Sequence, residues 1–300
     1  MKILISGGSG LVGKRLTQQL ESHGHEVAWL TRAAANKNRK HFLWEPEQGK
    51  LDYDAMEWPD AIVNLAGAGV ADVRWTETRK QEIEHSRVAA TKLLVEELNK
   101  RKRPCTLLSA SAIGIYGHEG GDKVFNEKSD AGNDFLAIVC KKWEEAAGAL
   151  YSPHRLVLLR IGIVLSTLGG ALPKMMTPAR LGLLAPLGTG KQYMSWIHID
   201  DLCSAIHFLV SDTEAVGVYN GCCTLPVTNE AFTMALAKAM QKPAWLPPVP
   251  SMVLQLTMGD MAQIVLGGQK VLPQRLVESG FRFTFNDPEI ALKHLLAKGI

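Results

Sequence analysis

Three glycines in the stretch Ser6-Gly7-Gly8-Ser9-Gly10-Leu11-Val12-Gly13 fall at positions 7, 10 and 13, the spacing of a turn that holds a pyrophosphate. The first permits a sharp turn after a strand. The second lets backbone approach phosphate oxygens, and the third lets a helix pack closely on a sheet. A helix opening directly behind them aims N–H groups and the positive end of its dipole at the anion. A glycine-rich turn without a ligand is the bland reading. The context opposes it: the apolar run 2–6 precedes the turn, and Leu11, Val12, Leu16 and Leu20 follow at helical spacing. The second apolar run, 26–31, leads into Arg32. An acidic residue there would accept from a ribose 2′-hydroxyl and repel a 2′-phosphate, whereas arginine favours the phosphate. Arg32, with Lys37, Arg39 and Lys40 beyond it, therefore predicts NADP(H) as the cofactor over the alternative of a solvated basic loop. Other chemistry is thinly represented. His23 and His25 flank a helix end, no H-E-x-x-H occurs, and no metal is expected. The five cysteines are odd in number and form no C-x-x-C, which predicts buried thiols in a reducing cytoplasm.

These residues need a scaffold, and the chain supplies an alternating one. Strands are predicted over 2–6, 26–31, 60–66, 104–110 and 154–160, with helices over 11–23, 76–102 and 134–150. Such alternation gives an α/β fold, a Rossmann-type doubly wound parallel sheet. Further on, 196–201 reads as a strand entering a helix capped by Asp200, and 217–220 as a returning strand. Helices are predicted over 228–240 and 251–266, and a last one opens at Asp287-Pro288. The expected division is a dinucleotide-binding domain of 1–165 plus about 196–222. A small, mostly helical substrate-side lobe takes about 166–195 and 223–300. The length of 300 residues, 46% of them hydrophobic, suits this plan. The net charge of +3 is small and interspersed, so no nucleic-acid partner is expected. No run reaches the roughly 18 apolar residues of a membrane span. The start, M-K-I-L-I-S-G-G, does not read as a secretory signal, so a cytoplasmic location is expected.

Several stretches together resemble the short-chain dehydrogenase/reductase superfamily in its extended, epimerase-like form. They are the glycine turn, D-A-I-V-N-L-A-G (60–67), R-V-A-A-T-K-L-L (87–94), S-A-S-A-I-G-I-Y-G (109–117) and W-I-H-I-D-D-L (196–202). R-W-T (74–76) and the tail 267–283 are similar to the atypical branch called "epimerase family", which carries its own C-terminal domain. The resemblance implies that Gly7 to Gly13 hold the pyrophosphate. It implies that Leu65, Ala66 and Gly67 line the adenine-ribose side, and that Ser109 to Ser111 border the nicotinamide ribose. It names no substrate.

Its mechanism normally uses a Ser to orient the substrate, a Tyr as acid/base, and a Lys four residues later that lowers the Tyr pKa. Ser111 matches the first. On the helix over 134–150, Leu136 falls at the tyrosine and Cys140 at the lysine, and no Y-x-x-x-K occurs anywhere. Arg87 stands where the superfamily keeps an asparagine. Tyr116 is the replacement proton donor expected from the sequence, and Lys141, beside the vacated position, is the lysine expected to hold the cofactor ribose. The leading expectation is an NADP(H)-dependent oxidoreductase or epimerase-like enzyme with non-standard acid/base residues. The alternative is a redox-responsive protein that binds NADP(H) without turnover. An interaction module with an empty site is the third. The partners these readings allow are a small-molecule substrate of unassigned identity and a second copy in a homodimer.

Overall fold

Ile3, Leu4 and Ile5 are all completely buried, as a central parallel strand with both faces covered requires. Ile3 and Ile5 face one core, with Leu16, Leu20, Leu202 and Ile206; Leu4 faces the other, with Ile62, Leu94 and Leu98. A computed structural model describes residues 1–32 and 39–300, so Lys37 lies outside the described residues. The main sheet begins with β1 (Lys2–Ser6), β2 (Glu26–Thr31), β3 (His41–Glu45) and β4 (Lys50–Leu51). It continues with β5 (Ala61–Asn64), β6 (Thr106–Ala112), β8 (Arg155–Ile161) and β12 (Gly217–Gly221). Their order is β12-β8-β6-β5-β1-β2-β3-β4, and every neighbouring pair is parallel except β3 with β4. The sequence runs outward to one side from β1 and then to the other from β5. The reversal between them opens a crevice at the strands' carboxyl ends.

Helix α1 (Leu11–Ser22) follows β1, and the short α2 (Asp54–Glu57) precedes β5. Long α3 (Glu77–Asn99) starts at Thr76, whose hydroxyl accepts from Arg79 N. Helix α4 (Phe135–Gly148) is capped in the same way by Asp134, which accepts from Ala137 N. Between them, β7 (Glu119–Phe125) leaves the main sheet.

The later part holds β9 (Ile163–Leu165), α5 (Ala171–Arg180), β10 (Tyr193–Met194), β11 (Trp196–His198) and α6 (Ile199–Ser211). After β12 come β13 (Val227–Thr228), α7 (Asn229–Met240), α8 (Ser251–Met258), α9 (Gln263–Leu266), β14 (Gly268–Val271), α10 (Gln274–Glu278) and α11 (Pro288–Lys298). This C-terminal region is helical apart from two short strands. β14 lies parallel to β7. The single helix expected over 251–266 is broken at Gly259, whose φ of +60° no right-handed helix contains. The cap of α6 is His198, which accepts from Asp200 N, and not Asp200 itself, which sits in the first turn.

Candidate functional site

The glycine turn lies at the reversal point and is shaped by close approaches. Gly7 has φ +72°, and a Cβ there would sit 2.9 Å from Leu65 O. A Cβ on Gly8 would enter the Trp29 indole, 2.6 Å from Cδ2, and one on Gly13 would come within 2.6 Å of Gly8 Cα. Gly10 is different: it is exposed, and its Cβ would meet only Gly7 O, at 3.2 Å. Ser9 beside it is exposed, while Leu11 and Val12 are half-buried at the head of α1. Gly10 is also the N-cap of α1. No side chain caps that helix and no acid occupies its first turn, so its terminal N–H groups are left for an anion.

A buried polar cluster forms the floor of the crevice. Ser6 Oγ donates to Asn64 Oδ1 at 2.6 Å, and Asn64 Nδ2 donates to Thr91 Oγ1 at 2.9 Å and to Ser109 Oγ at 3.3 Å. Ser109 is therefore part of the floor, fully buried between strands. Leu65 and Ala66 are half-buried and Gly67 is exposed just beyond β5. Arg32, past the end of β2, is exposed and has no carboxylate partner among the described residues. Its neighbours are engaged elsewhere: Arg39 pairs with Glu21 and lies over the Trp29 ring, and Lys40 lies over Trp58.

Ser111 and Tyr116 are brought together, through residues the sequence did not single out. Ser111 Oγ donates to Glu144 Oε1 at 2.6 Å. Arg160 donates to both carboxylate oxygens of Glu144, from Nε and Nη2, each at 2.8 Å. Arg160 Nη1 also donates to the Tyr116 hydroxyl at 2.9 Å, and that hydroxyl donates to Asn220 Oδ1 at 2.8 Å. Tyr116 is buried, its hydroxyl engaged as donor and acceptor, and burial raises its pKa. On α4, Leu136 packs against the buried cluster of Trp75, Ile83 and Val139. Cys140 is buried, and that burial pushes its thiol up to about 12. Lys141 is half-buried with no carboxylate partner among the described residues, while Lys142 pairs with Glu84 at 2.8 Å.

A cavity of about 910 Å³ lies apart from the glycine turn, lined by His118, Asp122, Lys191, Gln192, Gln263 and Leu266 among others. No residue of the glycine turn lines this hollow, so it is distinct from the crevice at the sheet reversal. Among the described residues, one group could bring three ligand atoms within 4.8 Å of one another: His198, Asp200 and His294. Their atoms already bond within the protein. His198 Nδ1 accepts from Asp200 N, its Nε2 meets His294 Nδ1 at 3.1 Å, and Asp200 pairs with Arg15 at 2.6 Å.

Residues 3–221 match the NAD dependent epimerase/dehydratase family. The chain belongs to this family. Residues 249–295 match a domain of unknown function, DUF1731. Among relatives, the chloroplastic epimerase family protein SDR39U1 homolog of Arabidopsis thaliana is 37% identical, over 99% of this chain and 87% of its own length. The epimerase family protein Mb2239 of Mycobacterium bovis is 39% identical, over 95% and 94%. The crystal structure of human epimerase family protein SDR39U1 with NADPH superposes with a TM-score of 0.90, at 32% identity and 99% coverage of both chains. The epimerase-like resemblance read from the motifs is thus borne out along nearly the whole chain.

Proposed function

We propose that this chain binds NADP(H) and acts as an oxidoreductase or epimerase-like enzyme on a small molecule, without the tyrosine–lysine pair usual in its superfamily. The observation that carries the reading is the uncapped N-terminus of α1, set behind a glycine turn whose approaches leave no room for side chains at Gly7, Gly8 and Gly13. The solved human relative contains NADPH, which supports the choice of cofactor. When bound, the nicotinamide supplies or accepts a hydride. The N–H groups of residues 7–13 hold the pyrophosphate, and Arg32 takes the 2′-phosphate. Ser111 is the orienting hydroxyl. Its one proton goes to Glu144, so toward any further group it acts as an acceptor. The lobe of about 166–195 and 223–300 faces the substrate.

Fluorescence titration of NADPH and NADH against wild type and Arg32→Ala tests the reading. NADPH is expected to bind roughly tenfold tighter than NADH or better, a preference lost in the variant. Equal affinities in the wild type overturn the NADP(H) preference, and no binding of either overturns the cofactor reading.

A second reading, binding of NADP(H) without turnover, is favoured by one observation. The Tyr116 hydroxyl is engaged on both sides, and α4 offers only Leu136 and a buried Cys140 thiol at the two dyad positions. Tight NADPH binding with no turnover over a panel of small carbonyl compounds would place this reading first.

A further inference from the structure

Arg87 is a cation that the protein does not neutralise. It projects from α3, and its Nη1 donates to Ile83 O at 2.9 Å. Its Nε and Nη2 find no acceptor among the described residues. Other enclosed arginines are more fully engaged, although the Nε atoms of Arg79 and Arg101 are buried without a partner. Arg160 has Glu144, Arg101 has the carbonyls of Met56 and Pro59, and Arg155 has those of Leu209, Val210 and Ala215. Burial lowers the Arg87 pKa, Arg79 adds to that, and only the Cys140 thiol opposes it. A half-buried guanidinium with one backbone acceptor and no carboxylate keeps two donor nitrogens available to a further partner.

The position of the guanidinium says where that partner sits. Its Cζ lies 5.2 Å from the centre of the Trp143 ring. The Trp143 indole N–H donates to Thr91 Oγ1 at 2.9 Å, and Thr91 also accepts from Asn64 in the crevice floor. The plate beneath the guanidinium is thereby fixed to the crevice. Arg87 also abuts Gly67, where an added Cβ would lie 3.1 Å from both Cγ and Cζ. Gly67 follows β5, one of the two strands that bound the sheet reversal.

We propose that Arg87 binds an oxyanion of a small molecule held in the crevice beside Gly67, with Trp143 setting the plane of the guanidinium. A planar fork of donors suits a phosphate or a carboxylate. The inference rests on the cofactor reading above. The oxyanion belongs either to the dinucleotide or to a substrate lying next to it.

The test compares wild type, Arg87→Met, which keeps aliphatic bulk without charge, and Arg87→Lys, which keeps charge without the fork. Thermal unfolding of ligand-free Arg87→Met is expected at or above the wild-type temperature, because an unpaired charge has gone. Its NADPH dissociation constant is expected to rise roughly tenfold or more, with Arg87→Lys between the two. That result assigns the oxyanion to the dinucleotide. If NADPH affinity is unchanged, the NADPH complexes are titrated with inorganic phosphate and with malonate. Weaker binding by Arg87→Met then assigns it to a substrate. Unchanged affinity for all three probes overturns the proposal. Should Arg87→Met fail to fold, Arg87→Gln carries the same measurements. A wild type that binds no NADPH refutes the cofactor reading instead, and the phosphate and malonate titrations of the protein alone still decide on Arg87.

Discussion

Ser111 and Arg160 are register partners on adjacent strands, and Glu144 reaches both from the helix above. The Glu144 and Arg160 side chains are only 12% and 10% exposed, so removing one partner strands a charge. Glu144→Ala is expected to lower stability by about 3–5 kcal/mol in urea unfolding. Ser111→Ala, which removes one hydrogen bond to a charged group, is expected to cost about 1.5–3 kcal/mol. A Glu144→Ala loss no greater than that of Ser111→Ala would show that the ion pair contributes little. Ser111 was legible in the sequence through its motif. Glu144 and Arg160 were not, because their pairing joins a helix to a neighbouring strand and leaves no spacing to read. Arg87 and Cys140 stood in the sequence as two separate departures, and the fold sets them beside each other.

At the scale of elements, the glycine turn separates two requirements that its sequence pattern merges. Gly13 is a packing glycine: a Cβ there enters the backbone of Gly8. Gly10 is open, with only Gly7 O nearby at 3.2 Å. Gly13→Ala is therefore expected to destabilise the fold by about 1–3 kcal/mol or more. Gly10→Val is expected to fold nearly normally and to lose NADPH, because its side chain occupies the phosphate's approach. Circular dichroism melts with NADPH titration of both variants check the contrast, and normal NADPH binding by Gly10→Val would reduce the turn to scaffolding. The strands of the main sheet were legible because they are short apolar runs between helical patterns. β7 was not. Its sequence, E-G-G-D-K-V-F, is largely exposed and has no apolar period, and it is a strand only because β14 lies beside it.

For the whole molecule, buried titratable groups bound the range of stability. Burial pushes the Cys105, Cys140 and Cys223 thiols up to about 12, so above the ordinary thiol pKa of about 8.5 the unfolded chain releases protons that the folded one keeps. Stability falls as pH rises through that interval. Burial also lowers His198 to about 4, so below about 6.5 the unfolded chain takes up a proton that the folded one refuses. Stability falls as pH drops toward 4. Denaturation between pH 4 and 11 is expected to show a plateau near pH 6.5–8.5, with each group contributing a slope of up to about 1.4 kcal/mol per unit outside it. A flat alkaline limb would show that the thiols ionise freely in the native protein. Among the described residues no helix is long and apolar enough to cross a membrane. The pairing of β7 with β14 also gives the molecule an order in time. A ribosome delivers Glu119–Phe125 long before Gly268–Val271, so this segment stays without its strand partner while nearly half the chain is made. The charged Glu119, Asp122 and Lys123, exposed along the segment, discourage it from pairing with a neighbouring nascent chain. A chain stopped before residue 268 is expected to exchange its 119–125 amides rapidly while β1, β5 and β6 stay protected, so the wall carrying β7 is the last part of the protein to set.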